Sequence, residues 1–140
     1  MTFRHRLRVR FHECDPQGIV FNAHYLAYAD IAITELYREA FGSWDAPMTE
    51  HGVDMVVAEA NVRYLAPIRF DEQVDLLVTL PRIGETSTTT RIEVVRGGEP
   101  TAVVELRHVF VDAESRGKTP IPAAVRAALD PYSEIPADRR

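Results

Sequence analysis

The residue types best suited to chemistry sit close together near the start of the chain, in Glu13-Cys14-Asp15-Pro16-Gln17-Gly18, followed by Ile19, Val20, Phe21 and Asn22. An aspartate in a short loop between a strand end and a helix start can attack an acyl carbonyl to give a mixed anhydride. It can instead take a proton from a water that attacks. Either route places negative charge on the carbonyl oxygen. The unpaired backbone N–H groups at the first turn of the following helix, helped by its dipole, can receive that charge. Asn22 lies near that expected helix start, where its side chain can serve as a helix cap. Gly18 permits close approach of a ligand, or a positive φ in the turn. Asp followed by Pro is also a common opening of an Asx-turn, and spacing alone favours that reading of Asp15.

Other reactive residue types in the chain carry weaker signals. Cys14 is adjacent to Asp15, but neighbours in an extended segment point oppositely and no histidine is placed by sequence to activate the thiol. His5, His12, His24, His51 and His108 form no H-x-x-x-H, H-x-H or Cys/His cluster, so no metal site is indicated.

These residues need a strand before them and a helix after them, and the pattern supplies both. Phe3, Leu7, Val9 and Phe11 alternate with Arg4, Arg6, Arg8 and Arg10, the period of a half-buried strand, with His5 as the exception. The arginine row reads as an outer face, solvated or paired at a subunit contact. From about 22 to 41 no Pro or Gly interrupts the chain, and Gly42 supplies a stop. Tyr25, Tyr28, Ala29, Ala32, Leu36 and Ala40 recur at helical spacing, while Leu26, Ile33 and Tyr37 widen the stripe. A helix with that much apolar surface is expected to be wrapped by a sheet. Four strand-like runs follow at about 54–65, 73–83, 86–96 and 100–111, with Gly97-Gly98 as a hairpin signal. A short helix is expected at 123–129, after Pro120 and Pro122, with fraying beyond Pro131. The order predicts an α+β fold, an antiparallel five-stranded sheet against one long helix, as a single domain over 1–140.

Composition excludes several classes. The 140 residues suit one core, and 46% hydrophobic with 26% charged residues is an ordinary globular mixture. Sixteen Lys and Arg against 21 Asp and Glu, a net charge of -5, argue against a nucleic-acid footprint. No apolar run approaches the roughly 20 residues that span a bilayer. One cysteine allows no intrachain disulfide, and the arginine-rich, strand-like start does not read as a signal peptide. A cytoplasmic location is expected.

The stretch Arg8-Val9, Cys14-Asp15, Gly18-Ile19-Val20-Phe21 and Tyr25 resembles the active-site signature of the 4-hydroxybenzoyl-CoA thioesterase family. The likeness continues through Arg63-Tyr64 and Pro67, Glu85-Thr86-Ser87, and Pro120-Ile121-Pro122, so nearly the whole chain is covered. The resemblance implies a hotdog fold, with the sheet wrapped around the long helix. It also implies homodimers that share active sites, a dimer of dimers being common, and hydrolysis of a small, medium or aromatic acyl-CoA to free acid and CoA without a cofactor. With that signature, Asp15 reads as the catalytic carboxylate and Asn22 as the amide donor, while Gly18, Phe21, Tyr25, Tyr28 and Asp30 are expected around the acyl group. For CoA, Arg82, Ser87 and Lys118 are the candidates, with Arg116 and Arg126 as alternative donors. The chain departs from aromatic-acyl members here. Gly84-Glu85-Thr86 precedes Ser87 where those place basic residues, which leaves an acyl-carrier-protein thioester open as the substrate. Two other readings remain, a hotdog dehydratase or hydratase using His12 or His24, and a non-catalytic acyl-thioester-binding module.

Overall fold

The computed structural model describes residues 1–134. β1 (Phe3–Arg8) leads through a 3-10 turn (Phe11–Glu13) and a loop into α1 (His24–Phe41) and then α2 (Ala46–His51). β2 (Val53–Tyr64), β3 (Gln73–Ile83), β4 (Ser87–Arg96) and β5 (Glu99–Asp112) follow, then α3 (Ala123–Leu129) and a 3-10 turn (Asp130–Tyr132). The strands form one antiparallel sheet in the order β1-β3-β4-β5-β2.

Alternation makes one face of this sheet apolar. Val74, Leu76, Val78 and Leu80 of β3, Ile92 and Val94 of β4, and Val104, Leu106 and Phe110 of β5 are buried in one core with Tyr28, Ala29, Ala32 and Leu36 of α1. The small residues Ala29 and Ala32, both fully buried, let the helix lie close to the sheet. The sheet thus wraps α1 in the hotdog arrangement expected from the resemblance. Gly42 ends the helix in the left-handed conformation, φ 81°, its N–H bonded to the Arg38 carbonyl.

The two sheet edges differ. β1 is short and carries the arginine row, held within the protomer: Arg4 and Arg6 both reach Asp75 on β3, at 3.2 and 2.9 Å, and Arg8 bonds the Asp71 carbonyl at 2.6 Å. β2 is twelve residues long and mostly exposed, including Val56 and Val57, and a bulge falls between Val57 and Glu59.

Several boundaries differ from expectation. β1 ends at Arg8, not near residue 11, because the Glu13 carboxylate takes the Arg10 N–H at 2.7 Å and turns the chain. Phe11, phased to face inward, is 79% exposed and packs edge-on against Phe70. The expected fraying beyond Pro131 does not hold through Glu134. Tyr132 is buried and donates to Glu39 at 2.6 Å, Ser133 bridges Leu80, and Glu134 accepts from Thr79 and Arg91. The rest of that expectation lies outside the described residues.

Candidate active site

Residues 13–21 form a miniature antiparallel hairpin with Asp15 near its tip. Phe21 N–H donates to the Glu13 carbonyl at 3.0 Å, Asp15 N–H to Ile19 at 2.9 Å, and Cys14 bridges Val20. Gly18, at φ 79°, closes the turn by donating its N–H to the Asp15 carbonyl. Val20 N–H, bonded to the Ile68 carbonyl, and a bridge from Ile19 to Arg69 tie the hairpin to the segment after β2.

Asp15, Gln17, Ile19, Val20 and Asn22 form one wall of a cleft of about 450 Å³; Tyr25 lies at its base and Tyr64, Leu65, Ala66 and Pro67 form the other wall. The Asp15 Oδ1 accepts the Gln17 N–H at 2.8 Å, so the Asx-turn is present. The Oδ2 has no protein donor among the described residues. The turn therefore occupies one oxygen only, and the two readings of Asp15 are compatible.

Helix α1 begins at His24, with Ala23 at the N-cap position and no side-chain cap. The Asn22 side chain therefore does not cap the helix. Among the described residues the Asn22 and Ala23 amides donate to no protein acceptor, which leaves them as candidate oxyanion donors beside the cleft. The Asn22 carbonyl accepts the Tyr64 hydroxyl at 2.7 Å, and the Tyr64 ring packs edge-on against Tyr25 at 5.2 Å. Burial first, and Tyr64 next, push the Tyr25 hydroxyl up to about 12 against the opposing pull of Arg96, so Tyr25 stays neutral at physiological pH.

Other anticipated residues are placed elsewhere. Tyr28 is wholly buried and donates to Glu13 at 2.7 Å instead of lining the cleft. Phe21 is 48% exposed and outside the cleft lining. Asp30 is exposed on α1 and its charge acts on His108. Ser87 pairs with Val109, seven residues along β5 from the partner of Tyr64, or roughly 23 Å at strand rise. Arg82 lies near that same end, where β3 pairs with the start of β4, and Lys118 bridges Val111. The CoA candidates are thus distant from Asp15 within one protomer. Arg126 is committed to the Ile83 and Gly84 carbonyls and Arg116 to Asp54. The Cys14 thiol, raised by burial and then by Glu13 and Asp15, points to the Arg10 carbonyl at 3.8 Å. The described residues contain no cluster of three or more metal-ligating groups.

Sequence reasoning missed the second wall. Tyr64 and Pro67 were part of the resemblance, but nothing local signals that they face a loop some forty residues earlier. Glu13 was also missed, though a carboxylate two residues from Asp15 at a strand end was a visible signal.

A sheet wrapped on a long helix, with a carboxylate hairpin facing the helix start, defines the hotdog class. The chain belongs to the thioesterase-like superfamily, whose model matches residues 9–129, in keeping with the resemblance seen in its sequence. It is similar to the acyl-CoA thioester hydrolase YbgC of Escherichia coli O157:H7, 34% identical over 85 residues; these are 61% of this chain and 63% of that protein, less than two thirds of its length. It is also similar to a 1,4-dihydroxy-2-naphthoyl-CoA hydrolase of Nostoc punctiforme, 26% identical over 122 residues, 87% of this chain and 82% of that one. A thioesterase superfamily structure from Jannaschia sp. CCS1 shares the fold at TM-score 0.89 and 24% identity, over 96% of this chain and 94% of that chain.

Proposed function

We propose that this chain is a thioesterase that hydrolyses an acyl-CoA to the free acid and coenzyme A, with Asp15 as nucleophile or general base. The observation that carries the reading is the Asp15 carboxylate: one oxygen is locked by Gln17, the other is left without a protein donor, and the cleft it lines also holds the start of α1. The names of the similar proteins agree with it. In the nucleophilic route Asp15 attacks the thioester carbon, the thiolate leaves and takes a proton, and water cleaves the mixed anhydride. In the base route Asp15 takes a proton from the attacking water. On this reading Asn22 and Ala23 amides receive the charge on the carbonyl oxygen, and no metal or redox cofactor enters either route. The edge-on Tyr25 and Tyr64 rings suit a flat or short acyl group better than a long chain.

The working unit on this reading is a cytoplasmic homodimer paired through β2. β1 is short and guarded by charge, whereas β2 leaves a twelve-residue, mostly exposed edge that includes Val56, Val57 and Ala58. Two-fold antiparallel pairing sets the Val53 end of one β2 beside the Tyr64 end of the other. It carries the partner's hollow lined by Tyr37, Trp44 and Met48 toward the Asp15 cleft. It also brings the Arg82, Ser87 and Lys118 end of the partner's sheet near a site they cannot reach within one protomer. On this reading two such dimers pair further into a dimer of dimers, as is common in the family that the sequence resembles.

The test is free-thiol release from benzoyl-, hexanoyl- and palmitoyl-CoA by wild type and Asp15→Asn. Turnover of benzoyl- or hexanoyl-CoA that falls at least 100-fold in the variant is expected. Equal turnover overturns the role of Asp15, and no release from any thioester, including acyl-carrier protein, overturns the hydrolase reading in favour of a binding module. A hydratase reading has less support, since His12 and His24 meet edge-on beside Glu13, outside the cleft lining.

A further inference from the structure

Glu13 is a charged side chain only 6% exposed, outside the cleft lining. Its Oε1 accepts the Tyr28 hydroxyl and the Arg10 N–H, each at 2.7 Å, while its Oε2 lies 3.7 Å from His24 Nε2. Its main-chain carbonyl accepts the Phe21 N–H at the base of the hairpin. One residue thereby holds the exit of β1, the hairpin base and α1 one turn beyond its start. Burying a carboxylate is costly unless it is fully bonded, so such a cluster tolerates little displacement.

We propose that Glu13 is a positioning residue that, through Tyr28, fixes the Asp15 hairpin against the first turn of α1. The inference rests on the hydrolase reading above. Asp15 sits on a two-stranded loop whose only covalent ties are at residues 13 and 21, and a carboxylate displaced by about 1 Å loses reactivity steeply. Tyr28 is the lever: its ring is fully buried in the core of α1, so its hydroxyl is a fixed point to which the hairpin base is pinned. The bonds and not the charge perform this task. A glutamine can present one oxygen to both donors and its amide to His24.

The experiment compares wild type, Tyr28→Phe, Glu13→Gln and Glu13→Ala by steady-state thiol release and by amide hydrogen exchange. Tyr28→Phe keeps the buried ring and removes one bond. It is expected to lower kcat roughly 5–10-fold with KM changed less than two-fold, and to speed exchange at Asp15 and Phe21 while the amides of β4 stay protected. Glu13→Gln is expected to retain kcat within about three-fold, and Glu13→Ala, where it folds, to lose more than Tyr28→Phe. Unchanged kcat and hairpin exchange in Tyr28→Phe overturn the proposal, as does Glu13→Gln falling as far as Glu13→Ala. A wild type silent toward every thioester sinks the hydrolase reading alone, and hairpin exchange then decides the role of Glu13.

Discussion

The Tyr64 hydroxyl donates to the carbonyl of Asn22 at 2.7 Å, joining the end of β2 to the entrance of α1 across 42 residues of chain. This bond links the two walls of the Asp15 cleft. The peptide whose carbonyl it holds also sets the orientation of the Ala23 N–H, because the peptide unit is planar. Tyr64→Phe is expected to lower kcat several-fold. At an exposed site the loss of one such bond costs at most about 1 kcal/mol of stability, so the melting temperature should move little while thiol release falls.

Asp15 serves a turn and, on our reading, a reaction. Asp15→Asn keeps an oxygen for the Gln17 N–H and should alter stability by less than about 0.5 kcal/mol, whereas Asp15→Ala loses the acceptor and about 1 kcal/mol. Both should lose activity alike. Denaturant titration beside thiol release separates the two roles.

Gly18→Ala isolates backbone conformation. A Cβ there meets nothing within 4 Å, yet φ is 79°, so the effect is conformational. The strain is roughly 1–2 kcal/mol. It can be relieved by relaxing the turn that carries Asp15. We expect a lower melting temperature together with a lower kcat.

His108 predicts a pH dependence of stability. Burial holds its imidazole below the ordinary value, with Asp30 pulling the other way. Between the ordinary histidine value of about 6.5 and the lower folded value, the unfolded chain binds the proton and the folded chain does not. The contribution is therefore full above about pH 6.5 and is lost as pH falls through the folded value. Melting temperatures from pH 8 to pH 5 should decline in wild type and decline less in His108→Gln. Asp54 and Asp75, both held low first by their arginine hydrogen bonds, add acid sensitivity only below the usual carboxylate range.

Pairing through β2 is tested by Val57→Lys. The residue is 53% exposed in the protomer, so a lysine there should leave the monomer's stability nearly unchanged. Sedimentation should shift from dimer to monomer, with loss of turnover if the partner completes the site. A dimer that persists with full activity would place the interface elsewhere.

Much of the fold was legible because its periodicities are clean. β3 and α3 occur at the residues expected, and Gly97-Gly98 forms the turn between β4 and β5. The sequence erred where a side chain competes with the backbone. Glu13 ends β1 early by taking the Arg10 amide, which no hydrophobic period encodes. α2 was overlooked because six residues give too short a pattern, although Pro47 in its first turn was a usable sign. In the site, Asp15, Asn22 and Tyr25 were readable as one contiguous stretch. Tyr64, Leu65 and Ala66 were not, since their place opposite Asp15 depends on how β2 lies at the far edge of the sheet.

The strand order carries a consequence for how the chain reaches this structure. β3, β4 and β5 are joined by short connections and can form from contacts near in sequence. β1, by contrast, must return across some seventy residues to pair with β3, as Arg6 does with Asp75. Closing that long loop is slow relative to the hairpins. The segment bearing Asp15 follows β1 directly, so we expect the cleft to be completed late, after β3, β4 and β5 have paired, and on our reading activity to follow the seating of the first strand.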